Sequence, residues 1–294
     1  MSGESPFLVL GGRTGLLGQA LTRALREAKR EVLPVGREDF DPYDQDALRR
    51  FTERQGCRTV VNTVAYTAVD LAEEEPDNAF DLNERLPRLL GLSAAREGLR
   101  LVHFSTDFVF NGAKEEPYTT EDEPNPRSVY GQSKLAGERA LFEAAPEQLA
   151  VIRTSWLFGP GKRNFVETIL NLGANRPKLT VVADQFGSPT YTMDLARNTL
   201  RLLDAGGNGL FHLASCGKAS WCELASEAVK LADLTCTVEP IPSSGWPQKA
   251  ERPKYSVLDM GKFIALTGHT PRPWEQGLRE YVFQELGLPN HRDD

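Results

Sequence analysis

The chain has 294 residues, 40% hydrophobic and 26% charged, with 25 Gly and 19 Pro, a composition typical of a globular protein of about one or two domains. Its 41 acidic and 34 basic residues leave a net charge of −7. That balance argues against a nucleic-acid binder, which needs a basic surface to neutralise phosphates. No apolar run approaches the ~20 residues that span a bilayer. The opening Met1–Pro6 has no basic segment ahead of the short apolar run Phe7–Leu10, so no export signal and a cytoplasmic location are expected. Cys57, Cys216, Cys222 and Cys236 form no Cys-x-x-Cys pair and are expected as reduced thiols. His103, His212, His269 and His291 contain no i,i+4 pair, so no metal site is expected.

In chain order, Phe7–Leu10 reads as a buried strand, followed by a glycine-rich turn and a helix over Leu16–Ala28. Glu31–Val35 is a second strand, Asp46–Arg54 a short helix and Thr59–Val64 a third strand. Asp77–Arg96 carries Phe80, Leu82, Leu86, Leu89 and Leu90 at helical spacing. Arg100–Ser105 is a fourth strand, Val129–Ala144 a helix and Leu149–Thr154 a fifth strand. Strands alternating with helices imply a parallel sheet covered on both faces. The rhythm then loosens, with helices over Phe165–Ala174, Met193–Leu203 and Trp221–Ala232 and a strand at Leu210–Leu213. A Pro-rich tract at Glu239–Pro253 precedes a last helix over Trp274–Leu286. The expected organisation is a nucleotide-binding domain over 1–155, rejoined by segments around 185–214. A smaller lobe over 156–184 and 215–294 would bind substrate.

Gly12-x-x-Gly15-x-x-Gly18 follows the first strand and opens a helix. Glycines there permit a tight turn and close approach of backbone to a pyrophosphate, and the helix N-terminus offers free N–H groups and a positive dipole. Gly12, Thr14, Gly15, Leu16, Leu17 and Gly18 are the expected dinucleotide contacts. At the tip of the second strand an acid would bind the ribose 2′-hydroxyl of NAD, whereas an arginine accommodates the 2′-phosphate of NADP. The sequence there is Val35-Gly36-Arg37. Arg37 points to NADPH, with NADH still possible if it is a solvated turn residue.

Tyr130 and Lys134 are four apart on one helix face. A phenol of ordinary pKa ~10 is a poor acid–base catalyst at neutral pH, and a nearby ammonium favours its phenolate. In the reducing direction Tyr130 would protonate a carbonyl oxygen while hydride reaches the carbon. Thr106 falls at the end of the fourth strand, where sites of open α/β sheets lie, and its hydroxyl would bond the same oxygen. The glycine turn, Thr106 and Tyr-x-x-x-Lys together resemble the extended short-chain dehydrogenase/reductases, which implies an α/β fold with a Rossmann-type doubly wound parallel sheet and a smaller C-terminal substrate-binding lobe.

Longer stretches are more specific. Asn62–Glu73 (NTVAYTAVDLAE), Ser105–Phe110 (STDFVF), Tyr130–Glu138 (YGQSKLAGE), Arg153–Trp156 (RTSW), Asp184–Thr190 (DQFGSPT) and Arg252–Leu258 (RPKYSVL) resemble the dTDP-4-dehydrorhamnose reductases from about residue 7 to 286. The resemblance implies NAD(P)H-dependent reduction of the 4-keto group of dTDP-4-dehydro-β-L-rhamnose to dTDP-L-rhamnose, with Thr106, Tyr130 and Lys134 catalytic. It also implies that Gly15, Leu16 and Leu17 face the pyrophosphate and that Asp41 and Pro42 lie near the adenine. Ala65, Tyr66 and Thr67 would line the cofactor path, and Thr67, Val69, Thr106, Asp107 and Trp156 would contact the sugar. Trp156 as core packing is the competing reading.

Three departures bear on that expectation. Phe108 stands where many members have tyrosine, and Tyr66 replaces a common histidine. Some members form a magnesium-bridged dimer through glutamates whose matching positions here are Ala20 and Met193, neither able to ligate a hard cation. The expectation is therefore no metal bridge, and a monomer or weak homodimer. Two rival readings remain. One is another extended-type enzyme on nucleotide sugars, an epimerase or a dehydratase, although the dehydratase T-D-E acid is replaced by Phe108. The other is a non-catalytic NADP-binding subunit resembling the regulatory β subunit of methionine adenosyltransferase.

Overall fold

Alternation along each strand of the central sheet builds two separate cores. Val9, Val61, Val102, Phe104, Ala150 and Ile152 enter one, while Leu8, Leu10, Val60, Leu101, Leu149 and Val151 enter the other. Side chains of a strand point alternately to opposite faces, so a strand apolar at every position must be covered on both. The computed structural model describes residues 5–144 and 146–288; His291 and the far ends of the chain lie outside them. Strands β1 (Phe7–Leu10), β2 (Val32–Val35), β3 (Thr59–Asn62), β4 (Arg100–Thr106) and β5 (Leu149–Thr154) are joined by a sixth, Gly209–His212. Their order is β2-β1-β3-β4-β5 with Gly209–His212 outside β5, all parallel. The order reverses between β1 and β3, the switch point where doubly wound sheets bind ligands beyond the strands' carboxyl ends.

Helix α1 (Leu16–Glu27) packs with the Thr192–Asp204 helix on one face. On the other face, α2 (Gln45–Gln55) packs on the Leu86–Glu97 helix, which in turn packs on Val129–Ala144. Asp44 caps α2, accepting from the N–H groups of Asp46 and Ala47, and Gly56 ends it in the left-handed region at φ +70°. The helical run expected over 77–96 is three consecutive pieces, Pro76–Phe80, a π-helical turn Asp81–Arg85 and Leu86–Glu97. A second π-helical turn, Tyr281–Glu285, continues Trp274–Glu280.

The later part of the chain differs most from expectation. Lys178–Val182 pairs in parallel with Thr237–Ile241, so the start of the Pro-rich tract is strand. Pro240 is tolerated because this two-stranded sheet consists only of edges. A short helix, Gly261–Thr267, also follows that tract. No helix among the described residues is long and apolar enough to cross a membrane.

Candidate active site

The glycine turn is built by close backbone approach. Gly11, rather than Gly12, takes the left-handed conformation at φ +78°, and its carbonyl accepts from Gly15 N at 2.9 Å. A Cβ on Gly18 would lie 2.3 Å from the Gly11 carbonyl oxygen, so only glycine lets α1 start so close to the turn. Gly12 is buried and packs on Pro34 of β2, and the Leu17 side chain enters the core. Thr14 is exposed, and Leu16 half-buried. Helix α1 begins at Gly15 with no side-chain cap and no acid in its first turn. Its first N–H groups and positive dipole end therefore suit a phosphate, and the residues present fit a dinucleotide.

Around the tip of β2, Arg37 is exposed and has no ion-pair partner among the described residues. Glu38 and Asp39, just beyond it, fold back. Asp39 Oδ2 accepts from Gly36 N at 2.8 Å and its Oδ1 from Arg13 Nη2 at 2.7 Å, while Arg13 Nη1 pairs with Glu38. Two acids therefore stand at the tip beside Arg37, and the turn brings Arg13, which the sequence does not single out, to the same place. Asp41 is exposed, its carboxylate accepting from Tyr43 N at 2.9 Å, with Pro42 beside it half-buried.

After β3, Ala65 is half-buried and Thr67 exposed. Tyr66 is gripped at both backbone atoms by Asn83. Tyr66 N donates to Asn83 Oδ1 at 2.9 Å, and Asn83 Nδ2 donates to Tyr66 O and to Ser133 Oγ, each at 3.0 Å. Fully buried in the π-helical turn, Asn83 thus ties the loop after β3 to the helix bearing Tyr130 and Lys134. Sequence reasoning misses it; a lone asparagine inside an amphipathic run carries no signal of its own. The Tyr66 hydroxyl donates to Glu75 at 2.9 Å. Val69 opens the short helix Val69–Ala72. The next residue, Asp70, accepts from Arg252 at 3.0 and 2.7 Å and from the N–H groups of Lys249 and Ala250, each at 3.0 Å. The Arg252 bond holds the Asp70 carboxyl below its ordinary range. Two distant stretches of sequence, 62–73 and 252–258, meet in this contact.

Thr106, Tyr130 and Lys134 lie around the carboxyl end of β4. Thr106 ends that strand; its hydroxyl donates to Asp107 Oδ1 at 3.1 Å, accepts from Phe108 N at 3.2 Å and partners the Tyr130 phenol. Gly131 makes the approach possible, because a Cβ there would lie 2.2 Å from the Phe108 carbonyl oxygen. Burial pushes the Tyr130 phenol up to about 12, with Thr106 opposing and the Asp107 charge adding to the rise. Tyr130 therefore keeps its proton at neutral pH. The Phe108 ring meets the Tyr130 ring edge-on, centroids 5.5 Å apart. Lys134 is buried, donating to Phe104 O at 2.6 Å, and burial pushes its amine down to about 8 against the pull of Glu138. Asp107 is buried too and pushed up to about 6, with Ser256 and Thr106 opposing through hydrogen bonds. Ser256, which the sequence does not single out as a site residue, reaches Asp107 Oδ2 at 2.5 Å from the stretch 252–258.

Trp156 lies against Trp221, rings 3.6 Å apart and 4° from parallel, and Gly187 packs on its indole. It is half-buried at φ +48°, a conformation that costs about 1 kcal/mol or more for a non-glycine residue. One ring face thus serves packing. Ala20 and Met193 are both buried in the same core cluster, and no group of His, Cys, Asp and Glu among the described residues is arranged to hold a metal.

Residues 7–286 match the family model described as RmlD substrate binding domain. A dTDP-4-dehydrorhamnose reductase of Mycobacterium tuberculosis is 40% identical over 95% of this chain and 93% of its own length. A probable dTDP-4,6-dihydroxy-2-methyloxan-3-one 4-ketoreductase of Streptomyces antibioticus is 38% identical over 96% of both chains. The crystal structure of dTDP-4-dehydrorhamnose reductase from Bacillus anthracis in complex with NADP superposes at a TM-score of 0.90, with 32% identity, covering 95% of this chain and 99% of that one. The match along almost the whole length, in sequence and in fold, shows that this chain belongs to the RmlD substrate-binding-domain family.

Proposed function

We propose that this protein reduces the 4-keto group of dTDP-4-dehydro-β-L-rhamnose to dTDP-L-rhamnose with NADPH. The Mycobacterium tuberculosis relative is named dTDP-4-dehydrorhamnose reductase, and the Bacillus anthracis structure of that name is seen with NADP. The observation that carries the reading is the Tyr130 phenol partnered with the Thr106 hydroxyl at the carboxyl end of β4.

NADPH, when bound, supplies hydride to C4 of the sugar. Gly15 and the first N–H groups of α1 would hold its pyrophosphate, and Arg37 would face the 2′-phosphate, Arg13 beside it being paired with Glu38 and Asp39. Asp41 and Pro42 would adjoin the adenine, and Ala65, Tyr66 and Thr67 would line the path after β3. Tyr130 gives its phenolic proton to the C4 oxygen, completing the alcohol, and Thr106, its single O–H turned away from Asp107, donates a hydrogen bond to the same oxygen. Lys134 fixes the cofactor's ribose and supplies positive charge that eases loss of the Tyr130 proton. Thr67, Val69, Asp107 and Trp156 contact the sugar, with residues 156–184 and 215–294 forming the substrate lobe. The buried, apolar Ala20 and Met193 support the absence of a metal bridge, and the protein is taken to act in the cytoplasm as a monomer or weak homodimer.

The test is product and cofactor stoichiometry. Purified protein with NADPH and the 4-keto sugar should release one NADP⁺ per dTDP-L-rhamnose. A cofactor retained through turnover, with an epimerised or dehydrated sugar as product, would favour the rival enzymes. Tight NADPH binding without turnover would favour the regulatory-subunit reading.

A further inference from the structure

Lys134 is 1% exposed, and its Nζ has a second polar neighbour besides Phe104 O: His103 Nε2, at 3.2 Å. On the far side of that ring, His103 Nδ1 lies 3.1 Å from Asn62 Nδ2. Asn62 and His103 are opposite one another in the parallel register of β3 and β4, and both are 1% exposed. Together they form a buried row: Asn62, His103, Lys134.

The proton positions in this row follow from its end. Asn62 Oδ1 accepts from Val64 N at 3.1 Å, and a backbone N–H can only donate, so the Asn62 NH₂ faces His103. Nδ1 is then a bare lone pair. A neutral imidazole carries one N–H, so it sits on Nε2 and points at Lys134. An ammonium has three donors and no lone pair, which would set two donors face to face in a buried place. A neutral amine accepts from Nε2–H while donating to Phe104 O. Moving the ring proton to Nδ1 only shifts the apposition to the Asn62 NH₂, and turning the amide shifts it to Val64 N–H. Every group in the row is paired only when Lys134 is uncharged.

We propose that Asn62 and His103 are positioning residues that favour the neutral amine of Lys134 in the free protein and so lower the pH below which the site carries its positive charge. The inference rests on Lys134 being the site lysine. Burial acts in the same direction on Lys134, and burial alone pushes His103 below its ordinary range and keeps the ring neutral. The other charged or titratable groups at this face are Glu138, one turn further along and paired with Arg153, and Tyr130, one turn back with Asp107 beyond it.

NMR of the free protein carrying ¹⁵N-histidine and [ε-¹³C]lysine tests this without substrate. The expected result is His103 with Nδ1 bare and Nε2 protonated, and one lysine titrating at or below about pH 8 rather than near ~10.4. Loss of that signal in Lys134→Met identifies it. His103→Met removes the donor and should raise the transition by about one unit or more, a tenfold change in the proton equilibrium. His103→Gln, whose amide oxygen accepts from Asn62 while its NH₂ donates to Lys134, should keep the transition low. An Nδ1–H tautomer, or an unmoved lysine transition in His103→Met, overturns the proposal. If His103→Met does not fold, the tautomer in the unaltered protein decides. Full reductase activity in Lys134→Met would instead remove Lys134 from the catalytic site and leave the NMR result standing.

Discussion

Arg153 of β5 and Glu138 of the Tyr130–Lys134 helix form a two-pronged ion pair, Nε–Oε1 2.9 Å and Nη2–Oε2 2.7 Å, with both side chains 3% exposed. The pair fastens the helix that presents Tyr130 to the strand beside β4, and the Arg153 guanidinium also lies 5.1 Å from the centre of the Phe110 ring. Taking both charges out of water is costly, and truncating one partner strands the other. Arg153→Met or Glu138→Leu should therefore lose about 3–5 kcal/mol of stability, whereas the double replacement should recover most of it. Denaturant melts of the three variants check this; additive losses would show that the pair is not coupled.

The acidic site residue predicts a pH dependence. Burial raises the Asp107 carboxyl from its ordinary 3.8 to about 6. A folded-state pKa above the unfolded one contributes stability that is complete below the unfolded value and lost as pH rises through the folded one. Asp107→Asn cannot ionise, so its stability relative to the wild type should grow between about pH 4 and 6 and then level off. Urea midpoints across that range provide the comparison, and a constant difference would mean that Asp107 is not destabilised as a carboxylate.

Cofactor choice is tested at the tip of β2. If Arg37 faces the 2′-phosphate, Arg37→Ala removes a charge-assisted hydrogen bond worth about 1.5–3 kcal/mol. KM for NADPH should rise about tenfold or more while KM for NADH stays put. Equal changes for both would make Arg37 an ordinary turn residue and pass the role to Arg13, which the fold brings to the same tip.

Chelation should change nothing. Ala20 and Met193 are buried apolar residues, so the solution mass and the reductase rate should be the same with and without a strong chelator. A chelator-induced fall in mass would place a bridging ion elsewhere on the molecule.

Short apolar runs announce the strands, because a sheet covered on both faces needs apolar residues at every position, and Leu8/Val9 and Val60/Val61 do divide between two cores. The glycine turn is legible because its chemistry is local, although Gly11 and not Gly12 adopts the left-handed turn. Pairings between distant segments leave no local trace. Nothing near residue 62 announces His103, nothing near 83 announces Tyr66 and Ser133, and the parallel pairing of Lys178–Val182 with Thr237–Ile241 is hidden by Pro240 and Pro242. The family resemblance supplies residue types such as the Asp of T-A-V-D and the Arg of R-P; the structure supplies the reason, an Asp70–Arg252 contact across the molecule.

Delivery of the proton by Tyr130 is read from the turnover of Tyr130→Phe. The variant keeps the ring and its edge-on contact with Phe108 and loses only the hydroxyl. Its kcat for NADPH oxidation dependent on the 4-keto sugar should fall by about 10²–10⁴, with NADPH binding unchanged. A kcat within a few-fold of the wild type would contradict it and take Tyr130 out of the mechanism.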